Sequence, residues 1–149
     1  MTASSPSSQT GVIAPYGGTL VDLMVPEGDK AAVKASASSS IECSDRNACD
    51  VELLVVGGFS PERGFMHQAD YDAVVAGNRT TSGYLFGLPI VMDTDREDIT
   101  VGQKILLTYK GQDLAVLTVE DKWEPDKVIE AKGCYCLLYT SDAADEWCC

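Results

Sequence analysis

Residues that carry catalytic chemistry are scarce in this sequence. Its 149 residues include one histidine, His67, and two tryptophans. No segment has the Gly-x-x-x-x-Gly-Lys spacing that wraps nucleotide phosphates, so a phosphate loop of that kind is excluded. No apolar run approaches the roughly 18 residues of a membrane span. We therefore assign no catalytic, cofactor-binding or metal-binding residue to this chain, and we expect no membrane partner.

Basic residues are also few. Eleven Lys and Arg stand against 23 Asp and Glu, which gives a net charge of -12 at pH 7 and an isoelectric point near 4.3. A nucleic-acid surface has to neutralise phosphates with Lys and Arg, so this balance disfavours nucleic acid as a partner. The hydrophobic share of 45% and the charged share of 23% are typical of a soluble globular protein with a core.

The six cysteines do not form a recognisable disulfide or zinc framework. Four of them fall in the last sixteen residues, and neither the Cys43 to Cys49 spacing nor the Cys134 to Cys136 spacing repeats as a zinc ribbon requires. We therefore expect a reduced, cytoplasmic protein, with a plastid as the alternative compartment. At Cys49 we expect a small buried side chain rather than a redox switch.

Composition divides the chain into three parts. Residues 1–13 are rich in Ser and Thr, and we predict a disordered leader there. Residues 14–135 carry the patterns of one folded domain. Residues 136–146 resemble the translation of a sequencing adapter, so we interpret residues 136–149 as a non-native tail; a native cysteine-rich tail is the alternative.

Apolar spacing predicts short helices in the first half of the domain. Asp29 is a candidate cap for a short helix through Lys34, and the serine-rich run 36–40 is predicted to be a loop. Ser44 or Asp45 is expected to cap a helix through about Val56, which Gly57 ends in the left-handed conformation. A second helix is predicted over residues 67–76, with Gly77-Asn78 as its stop signal.

The sequence pattern of the second half of the domain predicts β-strands. Residues 88–92, 104–109 and 114–119 are apolar runs, and residues 110–113 have the composition of a hairpin turn. The last run is apolar on both faces, which is typical of a strand inside a barrel or under a layer of helices. Helices followed by a compact set of strands predict an α+β domain.

One ten-residue segment is distinctive enough to indicate a family. Residues 57–66 read Gly-Gly-Phe-Ser-Pro-Glu-Arg-Gly-Phe-Met and are followed by Gln68-Ala69-Asp70-Tyr71. This resembles the N-terminal domain of ATP sulfurylase (sulfate adenylyltransferase). Residues 14–18 resemble the family's opening Pro-His-Gly-Gly, with Tyr16 departing at the His, and the segment from Trp123 to Lys132 resembles the stretch that leaves the domain.

The resemblance implies a fold and a parent activity. The family's first domain is a PUA-like pseudo-barrel, here with short N-terminal helices. The next domain carries Gln-Thr-Arg-Asn and His-x-x-His segments, binds Mg-ATP, and converts ATP and sulfate to adenylyl sulfate and pyrophosphate. With a single histidine, this chain cannot contain His-x-x-His. We therefore expect an inactive accessory domain whose main partner is the missing catalytic domain of the same chain, with a homo-oligomer as a further partner.

Four residues are candidates for the interface with that catalytic domain. Phe59 and Phe65 are expected to anchor the glycine-rich loop in the core, and Arg63 between them is either a steering residue or a solvated charge. Trp123 precedes Glu124-Pro125 and packs either in the domain's own core or against another domain. His67 is interpreted as polar surface, and the acidic run from Asp93 to Asp98 as a solvated turn rather than a calcium loop.

Two other functions fit a domain of this kind. PUA-like barrels elsewhere bind RNA, so a stand-alone binding module is one alternative, which the charge of -12 disfavours. A purely structural oligomerisation element is the other alternative. An accessory domain differs from both in predicting an exposed apolar patch where the catalytic domain docks.

Overall fold

The computed structural model describes residues 13–135, and the helices and strands within them form one open α+β unit. In chain order they are α1 (Lys30–Ala35), β1 (Ser39–Glu42), α2 (Asp45–Val55), α3 (Gln68–Gly77), β2 (Lys104–Tyr109), β3 (Gln112–Thr118) and α4 (Lys127–Glu130). A 3-10 turn, Glu27–Asp29, precedes α1, and a π-helical turn, Ala131–Tyr135, continues α4. Apart from Ile13, the predicted leader and the predicted tail lie outside the described residues.

The sheet has three strands in the order β1-β2-β3. Strand β1 runs parallel to β2, with Ile41 opposite Leu107, and β2 runs antiparallel to β3, with Ile105 opposite Leu117. The β2–β3 hairpin turns through Lys110 and Gly111, whose φ angles of 50° and 76° suit a two-residue turn. The predicted hairpin is confirmed, but the turn is shorter than expected because Gln112 and Asp113 already belong to β3.

Strand β1 and residues 88–92 differ from the sequence prediction. The serine-rich run 36–40 was expected to be a loop, yet Ser39 and Ser40 begin β1, because Ile41 brings them into register with β2. Residues 88–92 were expected to be a strand and belong to none. The backbone N–H of Met66 donates to the carbonyl of Ile90, and Ile90 and Val91 are buried by side-chain packing instead of strand pairing.

The two longer helices confirm their predicted caps. The Ser44 hydroxyl accepts a hydrogen bond from the backbone N–H of Asn47 at the start of α2, and Gly57 follows that helix with a φ of 80°. Helix α3 starts after His67 and ends at Asn78, which has a left-handed φ of 54°. Helix α1 corrects one expectation, because the Asp29 side chain makes no capping hydrogen bond there.

Three apolar clusters form the core. The first lies between the sheet and α2 and contains Ile41, Val51, Ile105 and Leu107. The second joins the end of α2 to α3 through Leu54 and Val74, and the third packs Tyr71 and Val75 of α3 against Val91 and Trp123. The α+β class is confirmed, while the sheet formed by the described residues is open rather than a closed barrel.

Candidate domain interface

The glycine-rich loop is pinned to the core at both ends. Phe59 and Phe65 are half-buried and pack on the second cluster, which includes Leu54 and Val74. A Cβ added to Gly57 would lie 2.5 Å from the carbonyl oxygen of Val21, so the chain passes too closely there for any other residue. Ser60 and Pro61 are joined by a cis peptide bond. The predicted anchoring of the two phenylalanines is confirmed.

Residues 16–24 begin with a turn and then pass along this loop without forming a helix or strand, and we call them the strap. The backbone N–H of Val21 donates to the Ser60 hydroxyl at 2.9 Å, and the N–H of Leu23 donates to the Val55 carbonyl at 2.9 Å. The Tyr16 hydroxyl accepts from the backbone N–H of Leu85 at 2.8 Å. Hydrogen bonds to the end of α2, to the glycine-rich loop and to Leu85 therefore hold the strap in position.

Ser60 provides the first test of this arrangement. Its buried hydroxyl accepts from Val21 and donates to the Gly57 carbonyl at 2.7 Å. In Ser60→Ala the Val21 N–H loses its acceptor, whereas the Gly57 carbonyl keeps the Ser60 backbone N–H at 3.1 Å. The free energy of unfolding should therefore fall by about 1–3 kcal/mol in urea titrations. The exposed Ser82→Ala is the control and should stay within about 0.5 kcal/mol of the parent chain. Equal stability of the two variants would contradict the bridging role of Ser60.

Arg63 and His67 lie at the surface beside the loop. Arg63 is exposed and forms no ion pair with another described residue. The imidazole Nε2 of His67 lies 3.0 Å from a carboxylate oxygen of Glu120, and both side chains are exposed. The interpretation of His67 as polar surface is confirmed, and Arg63 keeps an unpaired positive charge on an acidic domain.

A wide cleft opens between the sheet and the glycine-rich loop. Its volume is about 1310 Å3. Ile105, Leu117 and Val119 line it from the sheet side and Phe65 from the loop. The exposed Arg63 also borders it. The rim also carries charged residues such as Glu120 and Lys122. A cleft of this size, reaching buried side chains of the core, is a face that another polypeptide surface can fill.

Trp123 borders the cleft and also packs in the core. It is half-buried against Tyr71 and Val91 in the third cluster, and the Tyr71 and Trp123 ring centroids are 5.8 Å apart. Its indole N–H is buried and has no acceptor among the described residues. Trp123 was expected either in the domain's own core or against another domain. In this structure it packs in the core, at the wall of the cleft.

Tyr71 connects α3 to the last described segment, α4 and the π-helical turn, which we call the exit of the domain. Its hydroxyl donates to a carboxylate oxygen of Glu130 at 2.7 Å. Burial, followed by this hydrogen bond and the nearby negative charge, raises the pKa of Tyr71 well above its ordinary value near 10. Gly133 in the π-helical turn lies against α3, because a Cβ there would meet the Val75 carbonyl oxygen at 2.3 Å.

The raised pKa of Tyr71 gives a pH-dependent prediction. The neutral phenol is favoured in the folded state, so its contribution to stability is complete below pH 10 and is lost as pH rises above it. Above pH 10 the free energy of unfolding of the parent chain should fall more steeply than that of Tyr71→Phe, by up to about 1.4 kcal/mol per pH unit. At pH 7 the variant should be less stable by about 1 kcal/mol. Parallel urea-unfolding profiles for the two proteins between pH 9 and 12 would contradict the assignment.

Two carboxylates of the acidic run lie beside basic side chains. Arg96 forms an ion pair with Asp98 and donates to the Ser40 carbonyl, while Arg46 and Lys127 lie 3.8 Å and 3.7 Å from carboxylate oxygens of Asp93. Within residues 13–135 no group of three or more His, Cys, Asp or Glu side chains is placed to hold a metal ion. Within the run, Asp93 and Asp98 are thus paired with basic side chains of the same domain.

The cysteine expectation is wrong in one respect. Cys49 is exposed on α2, whereas Cys43 is buried in the first cluster. The reason is helical spacing, because Ala48 and Val51 point to the sheet and leave Cys49 on the outer side. Both thiols are free, and burial raises the pKa of Cys43 above its ordinary value.

Comparison with known proteins identifies the domain. The profile of the PUA-like domain family matches residues 13–142. The chain belongs to the PUA-like domain family. The matched segment includes the first seven residues of the predicted tail, so the boundary at residue 135 stays a prediction. Among the described residues no helix is long and apolar enough to cross a membrane.

Curated relatives of this PUA-like chain confirm the resemblance to sulfate adenylyltransferases. It is 43% identical over 129 residues to the sulfate adenylyltransferase of Chaetomium globosum and 42% identical over 128 residues to that of Neurospora crassa. These matches cover 80% and 79% of this chain but 22% of each relative. The chain therefore spans about a fifth of the length of these enzymes, and the match falls in their N-terminal part.

A solved structure has the same fold. The hexameric APS kinase from Thiobacillus denitrificans superposes with a TM-score of 0.67 at 33% sequence identity. The superposition covers 78% of this chain and 24% of that one. In both comparisons the PUA-like domain corresponds to a minor part of a longer polypeptide.

Proposed function

We propose that this chain is the N-terminal accessory domain of a sulfate adenylyltransferase. The parent enzyme forms adenylyl sulfate and pyrophosphate from ATP and sulfate. The observation that carries the proposal is identity of about 40% over four fifths of this chain to one fifth of enzymes with that name. The chemistry then belongs to the remaining four fifths of such a polypeptide.

The described residues support a role without catalysis. Adenylyl transfer needs several cations or backbone donors that converge on a triphosphate. Here Arg96 is engaged with Asp98, and Arg46 with Asp50 and Asp93, which leaves Arg63 as the unpaired arginine near the cleft. We expect this set of donors not to bind Mg-ATP. We expect the isolated chain to form no adenylyl sulfate.

We propose that the cleft side of the domain contributes to the contact with the catalytic domain. Arg63 and Trp123 border the cleft, and Phe59 and Phe65 hold the loop that forms one wall. The unpaired guanidinium of Arg63 at the edge of the cleft suits a carboxylate on the partner, since arginine binds carboxylates with two hydrogen bonds. The four residues are thus proposed as interface residues, with the phenylalanines acting through the loop.

Self-association is a second candidate role. The APS kinase of similar fold is hexameric, so a PUA-like domain of this kind occurs within an assembly of several copies. We propose that the parent of this chain is also a homo-oligomer. A reducing compartment, the cytoplasm or a plastid, is consistent with the free thiols of Cys43 and Cys49.

The test of the accessory role is a domain exchange. Residues 13–135 of this chain replace the matching segment of the Chaetomium globosum enzyme, and pyrophosphate release from ATP is measured with and without sulfate. We expect sulfate-dependent activity in the exchanged enzyme and none in the 149-residue chain alone. The matched control is the same enzyme with its segment deleted. An exchanged enzyme that is folded but no more active than the deletion control would reject the proposal.

A further inference from the structure

The strap creates an exposed apolar surface that shares Leu23 with the lining of the cleft. Seven large apolar or aromatic side chains there are between 37% and 59% exposed. They are Tyr16, Leu20, Leu23, Met24, Leu53, Val56 and Leu85. We call this surface the strap face.

Backbone contacts show that the strap face is continuous. The Tyr16 hydroxyl is bound to the Leu85 backbone, and Leu20 lies against Gly57, just after Val56. Leu23 is bound to the backbone of Val55. The exposed apolar side chains of the strap and of the α2 terminus are therefore neighbours, not isolated surface residues.

The strap itself is nearly free of charge, in a chain with a net charge of -12. Asp22 is the one charged residue between positions 16 and 24. Its carboxylate accepts a hydrogen bond from the backbone N–H of Met24 at 2.9 Å and so is engaged locally. Charge depletion with enrichment in tyrosine, methionine and other apolar side chains is the composition of an interface core.

The strap face is also distinct from the exit of the domain. The exit segment packs through Gly133 and Glu130 on Val75 and Tyr71 of α3. The strap instead contacts the glycine-rich loop and the end of α2, next to the second cluster. A polypeptide that continues beyond the exit would therefore start beside Trp123 and reach the strap face as a separate area.

We propose that the strap face is a docking surface for the remainder of the parent polypeptide. The area of the catalytic part that contacts it is apolar and uncharged. This inference rests on the proposed function. The relatives are more than four times as long as the matched segment, since that segment is 22% of their length. A tethered domain is present at an effective concentration on the order of millimolar. A second copy lacks that advantage and carries the same charge of -12, which repels it.

Hydroxyl-radical footprinting of the exchanged enzyme tests the strap face separately from activity. The oxidation rates of Met24 and Tyr16 are compared between the 149-residue chain and the exchanged enzyme, with Tyr109 of β2 as the internal reference. We expect several-fold protection of Met24 and Tyr16 in the exchanged enzyme and no change at Tyr109. Equal oxidation of Met24 in both proteins overturns the proposal, even where the exchanged enzyme is active. Protection in the isolated chain that grows with its concentration also overturns it, by assigning the face to a second copy.

A matched pair of substitutions gives an independent result. Val56 and Val101 are 55% and 61% exposed, and Val101 lies on the turn before β2, away from the strap. In the isolated chain, Val56→Asp and Val101→Asp should both leave the folded state intact. In the exchanged enzyme, Val56→Asp should lower the unfolding temperature and the yield of active protein, whereas Val101→Asp should not. Indistinguishable behaviour of the two variants in the exchanged enzyme overturns the docking role, while absence of activity with both valines intact rejects the proposed function instead.

Discussion

Gly57→Ala is expected to give the largest loss of stability among alanine substitutions of the glycines in the glycine-rich loop. Gly57 has a φ of 80°, and its new Cβ would lie 2.5 Å from the Val21 carbonyl oxygen and 2.8 Å from Leu20 Cδ1. The left-handed conformation and the overpacking together should lower the free energy of unfolding by about 2–5 kcal/mol. Because the clashing atom is backbone, the strap must move away from the loop. Urea unfolding measures the loss.

Two other glycines separate the two causes. Gly83 has a φ of 86° with no atom within 4 Å of an added Cβ, so Gly83→Ala should show the conformational cost alone, about 1 kcal/mol. Gly64 has neither a positive φ nor a near atom, and Gly64→Ala should be close to neutral. If Gly57→Ala were no worse than Gly83→Ala, the close approach between the strap and the loop would be wrong.

Leu107→Ala should give the second large effect. Leu107 is 1% exposed, lies in the middle of β2 and packs in the first cluster with Ile41 and Val51. Truncation of a buried leucine costs about 2–5 kcal/mol. Leu107 also borders the cleft, where neighbouring side chains have room to relax, so the lower half of that range is expected. Urea unfolding should show this loss without a change in the denaturant slope.

The control for that prediction is Leu85→Ala. Leu85 is 55% exposed on the strap face, so its truncation in the isolated chain should change stability by no more than about 0.5 kcal/mol. A loss at Leu85 as large as at Leu107 would mean that the strap face is buried in the isolated chain, for example by self-association. The pair therefore also reports on the state of that surface.

Local signals in the sequence predicted the helices well. Ser44 and Gly57 mark the two ends of α2 by side-chain capping and by the left-handed glycine, and both act within a few residues. Asn78 ends α3 for the same reason. The β2–β3 hairpin was also predictable, because Lys110-Gly111 provides the turn between two apolar runs.

Long-range packing decided the elements that were missed. Ser39 and Ser40 become strand residues because Ile41 is buried against Leu107, which lies 66 residues further along the chain. Residues 88–92 are apolar enough for a strand, yet Ile90 and Val91 are buried by α3 and by the glycine-rich loop instead. Neither outcome follows from a pattern of a few residues.

The interface was only partly accessible from the sequence. The glycine-rich loop and Trp123 stood out by composition, and the structure brings Phe65, Arg63 and Trp123 to one cleft. The strap face did not stand out, because Leu20 and Met24 are exposed in an apolar segment that resembles a buried one. The signal that was available is the near absence of charge from residue 11 to residue 26, which contains Asp22 alone.

The most direct test of the accessory role is the sequence of the source transcript beyond the codon for Tyr135. Amplification from within the coding region for residues 57–66 toward the 3′ end would provide it. We expect a reading frame that continues past Tyr135 into Gln-Thr-Arg-Asn and His-x-x-His segments of a sulfate adenylyltransferase. A natural stop codon directly after Cys149 would contradict it and would leave a free-standing PUA-like domain.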